Sequence, residues 1–310
     1  MKKVFMVDGG AGRVIAAIPA FKKYVREHPD EEIAILVGGW DVLYWGIPEL
    51  QDITFNPEQK GIFEHVVMNA DEVISPEPYR VPGYFRCEIS LAEAFNVIIN
   101  HTHDHKDLGV PNLVLNKGEE YGAARMIAET KQQQQKQKTI ILQPFGRSAE
   151  RPDENTVIDG SSRSMSQDTY LKLTKKLSTK YNLILMAEQN FHLPEDTYTG
   201  KPQGDLRFWA SAIEAADYFI GCDSLGQHMA RAFGTPGTVI IGSTFPINTT
   251  YPDYFQIIEK EGIKKYSPIR ISGLESHLAD RANDTLMDFT DDEINDMYAA
   301  IVKDIEAKTK

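Results

Sequence analysis

The residues with the most obvious chemical potential lie in one short stretch, Asp223-Ser224-Leu225-Gly226-Gln227-His228, which follows the apolar run at 215–220. Asp223 or Ser224 suits the N-cap of a helix, and Ser224 and Gln227 have the spacing of a capping box. A helix that starts at the carboxyl end of a buried strand also presents backbone N–H groups and a positive dipole end, which together bind phosphate. Gly226 would admit a ligand closely, and His228 would add a donor. The stretch therefore predicts either a plain helix start or an anion site.

A second cluster, Asp8-Gly9-Gly10-Ala11-Gly12-Arg13, joins the first apolar strand to the first helix. Gly10 and Gly12 begin a dinucleotide-binding fingerprint, but Ile15 stands where a third glycine or an alanine is needed. The turn therefore does not favour a nicotinamide cofactor. Asp8 is a carboxylate at a strand end, where the catalytic groups of α/β proteins gather. It could act as a general base or could hold the turn through backbone N–H groups, and the sequence leaves both open.

Alternating apolar and amphipathic segments predict an α/β protein with two parallel sheets. In the first half the pattern predicts a helix at 13–27 and strands at 3–7, 33–37, 65–68, 72–74 and 113–115. After residue 138 it predicts strands at 139–143, 182–187, 217–220 and 237–241, and helices at 167–180, 206–216, 224–233 and 291–307. Both chemical clusters then follow the carboxyl end of a predicted parallel strand, where ligand sites of such sheets lie.

Composition narrows the classes of function. The chain has 310 residues and a net charge of −12, which opposes general attraction to a nucleic-acid backbone or an anionic membrane surface. Cys87 and Cys222 are far apart and predict free thiols in a reducing, cytoplasmic setting. No segment has the roughly 18 consecutive apolar residues of a membrane span, and the N-terminus lacks a signal-peptide core. His101, His103 and His105 alternate as metal ligands on a strand would, but a polar loop explains them better.

The segment 215–246 resembles the donor-binding signature of heptosyltransferase-like glycosyltransferases, a family with the GT-B fold. That signature has an acid, a serine or threonine, a glycine, a histidine and an alanine in this order, then a Gly-Thr-Pro turn and a strand that ends in glycine. In this sequence they are Asp223, Ser224, Gly226, His228 and Ala230, followed by Gly234-Thr235-Pro236 and a strand that leads to Gly242. The resemblance therefore rests on several residue types at fixed spacings.

Two further segments are similar to the family in order and position. Residues 140–148, IILQPFGRS, resemble its first donor-domain strand with the turn after it, and Arg163 stands where the family has a basic residue before the next helix. Residues 149–161 look like an insertion between them. A guanidinium fork fits phosphate oxygens well. The resemblance implies a donor-binding set that consists of Arg147, Ser148, Arg163, Glu188, Asp223, Ser224, Leu225, Gly226, Gln227 and His228.

The first cluster departs from the family. The resemblance puts Gly9, Gly10 and Gly12 on the acceptor side of the interdomain cleft, where the family commonly has an acid after the last glycine. This sequence has Arg13 there, which removes the obvious general base. Asp8 and Arg13 are then the catalytic candidates, with Asp8 as the base and Arg13 as a contact to an anionic acceptor or to the leaving diphosphate.

The resemblance implies a GT-B architecture, in which two Rossmann-like domains with parallel sheets face an interdomain cleft. We expect an acceptor-binding domain at 1–137 and a nucleotide-sugar donor domain at 138–289. We also expect a C-terminal helix at 290–310 that packs back on the N-terminal domain. The polar run ETKQQQQKQK at 129–138 marks the boundary, although the same run suits the end of a solvated helix.

The implied activity is transfer of a sugar from a nucleotide-diphosphate-sugar co-substrate to a hydroxyl, with inversion and without a metal or a prosthetic group. The acceptor would be a glycan of the lipopolysaccharide type or a hydroxylated base in phage-type DNA, although the net charge disfavours DNA. A nucleotide-sugar binding protein without transferase activity is the alternative, since Arg13 replaces the expected acid. An NAD-linked dehydrogenase would rest on the glycine turn alone.

Overall fold

The computed structural model describes residues 1–146, 149–153, 156–159, 163–187, 206–263, 265 and 287–309. Within these residues the chain forms two parallel β-sheets flanked by helices, one sheet in each half of the sequence. This is the two-sheet α/β arrangement that the sequence predicts.

The first sheet organises the N-terminal half. Its strands are β1 Lys2–Val7, β2 Glu32–Val37, β3 Thr54–Phe55 and β4 Glu72–Ile74. They are parallel and lie in the order β3-β2-β1-β4. The helices are α1 Ala11–Glu27, α2 Pro82–Phe85, α3 Leu91–Asn100 and α4 Lys117–Gln134. Short 3₁₀ turns lie at Asp41–Tyr44, Gln51–Ile53 and Pro78–Arg80.

The start of α1 is fixed by packing of its apolar side. Val14, Ile18 and Phe21 recur at helical spacing and are fully buried. The ring of Phe21 meets that of Phe5 in β1 edge to face, with 5.4 Å between the ring centres. This packing holds the glycine turn at the carboxyl end of β1.

The second sheet organises the C-terminal half. Its strands are β5 Thr139–Gln143, β8 Asn182–Leu185, β9 Tyr218–Cys222, β10 Gly237–Ile241 and β11 Gln256–Glu259. A separate antiparallel hairpin, β6 Glu150–Asp153 and β7 Thr156–Ile158, lies within the insertion that the sequence predicts. The sheet is parallel in the order β11-β10-β9-β5-β8, so β5 and β9 are neighbours. The helices are α5 Gln167–Ser178, α6 Leu206–Ala215, α7 Leu225–Phe233, α8 Pro246–Thr249 and α9 Asp291–Lys308.

Helix α9 packs on the second half of the protein. Its buried residues Ile294, Met297, Ile301 and Ile305 join the apolar core beneath the second sheet. The helix begins with a capping box between Thr290 and Glu293, as the sequence indicates. The structure therefore differs from the expectation that residues 290–310 pack back on the N-terminal domain, because the apolar side of α9 is covered by the core of its own half.

Two predicted strands are wrong. The segment predicted as a strand at 65–68 belongs to a π-helical turn, Phe63–Val67, and its continuation. Residues 113–115 have no regular secondary structure. The polar run at 129–138 is largely helical, since α4 extends to Gln134. Both cysteines are free thiols, and no described helix is long and apolar enough to cross a membrane.

Candidate functional site

Asp223 follows β9 and is buried beneath the start of α7. Its Oδ1 accepts a hydrogen bond from the Gln227 amide at 2.9 Å, and its Oδ2 accepts one from the Thr244 hydroxyl at 2.9 Å. Burial raises the pKa of Asp223, and the guanidinium of Arg163 and these hydrogen bonds oppose the rise. The carboxylate is thus held in one orientation close to a fixed positive charge.

The start of α7 is capped from another strand. Ser224 is the N-cap residue, but its side chain makes no capping hydrogen bond. The predicted capping box between Ser224 and Gln227 is therefore wrong, because Gln227 turns back to Asp223. Instead Gln143 at the end of β5 accepts from the Gly226 N–H at 2.9 Å. The carboxyl ends of the neighbouring strands β5 and β9 meet here, which brings Gln143 to the helix.

The approach of Gln143 explains the glycine at 226. A Cβ at this position would lie 2.3 Å from Gln143 Oε1 and 2.7 Å from a ring carbon of Phe219, so both neighbours would have to move. Leu225 opens the helix and is partly buried. The first turn of α7 is therefore partly closed by protein, and an anion that uses the Gly226 N–H must share it with Gln143 or displace that amide.

Arg163 is the basic residue at this corner. Burial by itself lowers the pKa of Arg163, but the carboxylates of Asp223 and Asp159 raise it overall, so the guanidinium stays charged. The loop beside it is fixed by Ser164, whose N–H donates to Asp159 at 3.1 Å and whose hydroxyl accepts from the Gly146 N–H at 2.9 Å. These bonds hold Arg163 at the same sheet edge as Asp223.

Arg147, Ser148 and Glu188 lie outside the described residues. The described residues Gly146 and Ala187 follow β5 and β8, and these two residues stand at the carboxyl edge of the sheet where Asp223 lies. The roles of these three residues in donor binding stay predictions.

His228 lies where the two halves of the protein meet. A Cβ at Gly12 of α1 would be 2.6 Å from Cδ2 of the His228 ring, so the glycine permits this contact. The Nδ1 atom shares a hydrogen bond with the Tyr251 hydroxyl at 2.9 Å. Burial lowers the pKa of His228 to about 4, so the ring is neutral at pH 7. The ring expected to donate to a phosphate is therefore a neutral group packed against α1.

Gly12→Ala should lower the free energy of unfolding by about 1–3 kcal/mol, since the added methyl must push His228 away from a packed contact. Gly38→Ala is the matched control, because a Cβ at Gly38 meets no atom within 4 Å. Urea denaturation of both variants measures the difference. Equal midpoints for the two variants would contradict the close contact between Gly12 and His228.

Arg13 is buried within the N-terminal half. Its Nη2 pairs with Asp8 at 3.2 Å and its Nη1 pairs with Glu77 at 3.2 Å. The carbonyl of Pro76 accepts a further hydrogen bond at 2.9 Å, and the guanidinium lies 5.2 Å from the centre of the Tyr79 ring. Two carboxylates therefore offset the positive charge of Arg13, which was expected to contact an anionic acceptor or the leaving diphosphate.

Asp8 stays accessible at the end of β1. Its side chain is 77% exposed, and one of its oxygens pairs with Arg13. Gly9 has a φ of +93°, a left-handed conformation that suits glycine, and its carbonyl accepts from the Trp40 indole N–H at 2.9 Å. Gly10 is the N-cap of α1. Among the described residues the Asp8 carboxylate pairs with Arg13, and no hydrogen bond joins it to the N–H groups of the turn. The role of Asp8 as a base stays a prediction.

Tyr84 connects the two clusters. Its pKa is raised mainly by burial and further by Tyr79 and Asp223, while Arg13 opposes the rise. Both clusters therefore act on one buried hydroxyl. The Asn248 amide in α8 donates to the Tyr84 carbonyl at 2.7 Å, which joins the two halves beside this residue. Charged groups of both clusters thus lie near Tyr84, where the two halves of the chain are in contact.

Several residues of this site were missed by sequence reasoning. Gln143 carried a signal, because a polar residue ends an otherwise apolar buried strand. Asp159 lay in the predicted insertion and Glu77 in an unassigned loop, so neither had a pattern around it. Thr244 stood inside the resembling segment but had no assigned role.

No protein-family model matches this sequence, and comparison with curated proteins gives no match. Solved structures do match along the chain. A glycosyltransferase of family 9 from Veillonella parvula DSM 2008 superposes with a TM-score of 0.69 and 11% identity, over 99% of this chain and 98% of that one. The E. coli ADP-heptose lipopolysaccharide heptosyltransferase II superposes with a TM-score of 0.61 and 14% identity, over 88% of this chain and 94% of that one.

A third structure is TibC, an iron-containing dodecameric glycosyltransferase from enterotoxigenic E. coli H10407. Its TM-score is 0.61 at 11% identity, over 99% of this chain and 78% of that one. The protein therefore has the GT-B fold of the glycosyltransferases. Within that class its architecture is similar to that of the family 9 enzymes, which include heptosyltransferases. At such low identity the similarity establishes the fold, and the roles of individual residues need their own argument.

Proposed function

We propose that this protein is a glycosyltransferase that moves a sugar from a nucleotide-diphosphate sugar to an acceptor hydroxyl. The proposal is supported by the GT-B fold, together with two acid–arginine pairs, Asp8 with Arg13 and Asp223 with Arg163, whose charges both act on the buried Tyr84 hydroxyl. TibC was solved with ADP-D-β-D-heptose, which supports a nucleoside diphosphate as the carrier of the sugar. The free thiols Cys87 and Cys222 support a cytoplasmic location.

The donor diphosphate would be held by Arg163. A guanidinium is a planar fork with several N–H donors, so it can pair with carboxylates on one side and with phosphate oxygens on another. Asp223 and Asp159 keep Arg163 charged, and each accepts hydrogen bonds from its own neighbours. Ser224 and the Gly226 N–H lie at the adjacent helix start and would add donors once the Gln143 amide is displaced.

The chemical step would be a single displacement. Asp8 takes the proton of the acceptor hydroxyl, the hydroxyl oxygen forms a bond to the anomeric carbon, and the bond to the diphosphate breaks with inversion. The charge that develops on the leaving diphosphate is stabilised by Arg163 and by the N–H groups at the start of α7. Arg13 holds Asp8 in place through their ion pair, and this scheme assigns the charge stabilisation to protein groups without a metal.

For the acceptor we favour a glycan over a hydroxylated base in DNA. The net charge of −12 repels a phosphate backbone, so duplex DNA would need a local basic surface to bind. Retardation of duplex DNA in a gel that weakens as salt increases would reverse this preference.

Arg163→Ala should weaken the binding of nucleoside diphosphates and nucleotide sugars by about tenfold or more, since a charge-assisted hydrogen bond is lost. A thermal-shift screen measures this, because a ligand at ~100 times its dissociation constant adds about 2.7 kcal/mol of stability. Arg125→Ala is the matched control, since Arg125 is exposed on α4. If no nucleotide shifts the wild-type protein, the proposal loses its main support.

The alternative is a nucleotide-sugar binding protein without transferase activity. Arg13 in place of the expected acid favours it, as does the closure of the α7 start by Gln143. Transfer, or hydrolysis of the donor, that Asp8→Asn abolishes would exclude this alternative.

A further inference from the structure

A second concave site lies on the N-terminal half, away from Asp223. It is a pocket of about 460 Å³ between the segment 80–89 and the outer side of α3. Its apolar lining includes Val81, Ile89, Val97 and Ile98. A volume of this size is in the range of small-molecule sites. The pocket therefore has room for a ligand.

The pocket and the Arg13 cluster lie on different sides of α3. Phe95 points to α1, where its ring centre is 5.7 Å from the Arg13 guanidinium. Val97 lies on the opposite face of the same helix, and Ile98, one turn after Phe95, lies at the side; both line the pocket. A ligand in the pocket would therefore contact residues that the donor site does not use.

The wall formed by residues 80–89 is built by hydrogen bonds. The N–H groups of Glu88 and Ile89 both donate to the Gly83 carbonyl, at 2.8 and 3.3 Å. The Asn248 amide of the other half donates to the carbonyls of Tyr84 and Ile89, at 2.7 and 3.2 Å. These bonds fix the shape of the wall, which lowers the reorganisation that binding would need.

The rim of the pocket is positive. Arg80, Arg86 and His103 line it, against one acid, Glu88. Within the described part of the chain neither Arg80 nor Arg86 makes an ion pair, whereas the buried Arg13 is paired with two acids. In a chain with a net charge of −12, two exposed arginines that pair with no acid among the described residues, beside an apolar floor, are suited to an anionic group.

We infer that this pocket binds a small organic anion. The apolar body of the ligand lies against Val97 and Ile98, and its carboxylate or phosphate group lies between Arg80 and Arg86. Both anionic groups accept the planar N–H fork of a guanidinium. The site is distinct from the donor site, and the inference does not rest on the proposed transferase function.

Titration calorimetry with phenyl phosphate, benzoate and the neutral benzyl alcohol tests the inference. Phenyl phosphate or benzoate should bind, with an affinity that falls as salt increases, and benzyl alcohol should bind about tenfold more weakly or worse. Which anion binds more tightly distinguishes a phosphate ligand from a carboxylate ligand. No binding of either anion at millimolar concentration would overturn the inference.

Variants locate the bound probe. Arg80→Ala and Arg86→Ala should each weaken binding of the anion by about tenfold. Arg125 is exposed on α4, and Arg125→Ala should leave the affinity unchanged. Arg80 and Arg86 are exposed too, so the variants should keep the fold, and their melting temperatures check this. Methyl spectra should show shifts at Ile89 and Ile98 when the anion is added. Unchanged affinity in the Arg80 and Arg86 variants would overturn the inference.

The donor site is tested separately. Arg163→Ala should leave phenyl phosphate binding intact, and ADP should not compete with it. Loss of phenyl phosphate binding in Arg163→Ala, or competition by ADP, would place the anion in the donor site and overturn the inference. If the anions fail to bind while nucleotides still do, the second pocket is excluded and the proposed function is untouched.

Discussion

Asp8→Asn should reduce the rate of glycosyl transfer by about 10²–10⁴-fold, the usual contribution of a general base. Asparagine has nearly the same shape as aspartate but cannot take the proton of the acceptor hydroxyl. The Asp8 side chain is 77% exposed at the carboxyl end of β1, so an acceptor can reach it. The measurement is kcat with the donor that the thermal-shift screen identifies.

Donor affinity separates a chemical role from a structural one. Asp8 contacts Arg13 and lies in the other half from Asp223, so Asp8→Asn should bind nucleotides as the wild type does. Asp30→Asn is the control, an exposed acid in the turn between α1 and β2. Full activity of Asp8→Asn would assign the base to another group. A parallel loss of nucleotide binding would mean that Asp8 acts through the packing of Arg13.

The arginine in the glycine turn has a physical consequence in this structure. Arg13 occupies the place where a base was expected, and a buried arginine needs compensation because an unpaired buried charge is costly. Asp8, at the end of β1, and Glu77, the residue before the 3₁₀ turn Pro78–Arg80, supply that compensation. One of the two acids, Asp8, remains exposed, so the turn still offers an accessible carboxylate.

The main strands and helices could be predicted because their signal is local. The buried runs of β1, β2, β5 and β10 and the amphipathic pattern of α1 each identify their element within a short window. The strand predicted at 65–68 is wrong because a short apolar run does not distinguish a strand from a helical turn. The predicted packing of α9 is wrong because an amphipathic pattern identifies the apolar face of a helix but not the part of the protein that covers it.

The site shows the same division between local and distant information. The corner at Asp223 was predicted because the strand end and the helix start adjoin in sequence. The group that caps Gly226 is Gln143, 83 residues away, and the second acid on Arg13 is Glu77, 64 residues away. Sheet order and the contact between halves create these pairs, and neither can be read from a single stretch of residues.

Arg207→Ala should lower the free energy of unfolding by about 3 kcal/mol, as removal of one partner from a buried ion pair does. Arg207 lies in α6, is 5% exposed, and forks onto Glu119 of α4 with contacts of 2.6 and 2.7 Å. It also donates to the carbonyls of Val42 and Val114, at 3.0 and 2.6 Å. Truncation removes a donor from all of these acceptors at the junction of the two halves. Urea denaturation should show the loss in Arg207→Ala and little change in Arg125→Ala, whose pair with Glu129 is exposed.

The same ion pair predicts a dependence on pH. Hydrogen bonds from Arg207 lower the pKa of Glu119 in the folded protein, against an opposing effect of burial. A carboxyl with a lowered folded pKa contributes stability that is present above its unfolded pKa and is lost as pH falls through the folded value. Arg207→Ala should therefore lower the free energy of unfolding most at neutral pH and progressively less in acid, because protonated Glu119 carries no charge that Arg207 must offset. A difference between wild type and variant that stays constant from pH 7 into the acid range would show that packing, and not the charge of Glu119, accounts for the effect of Arg207.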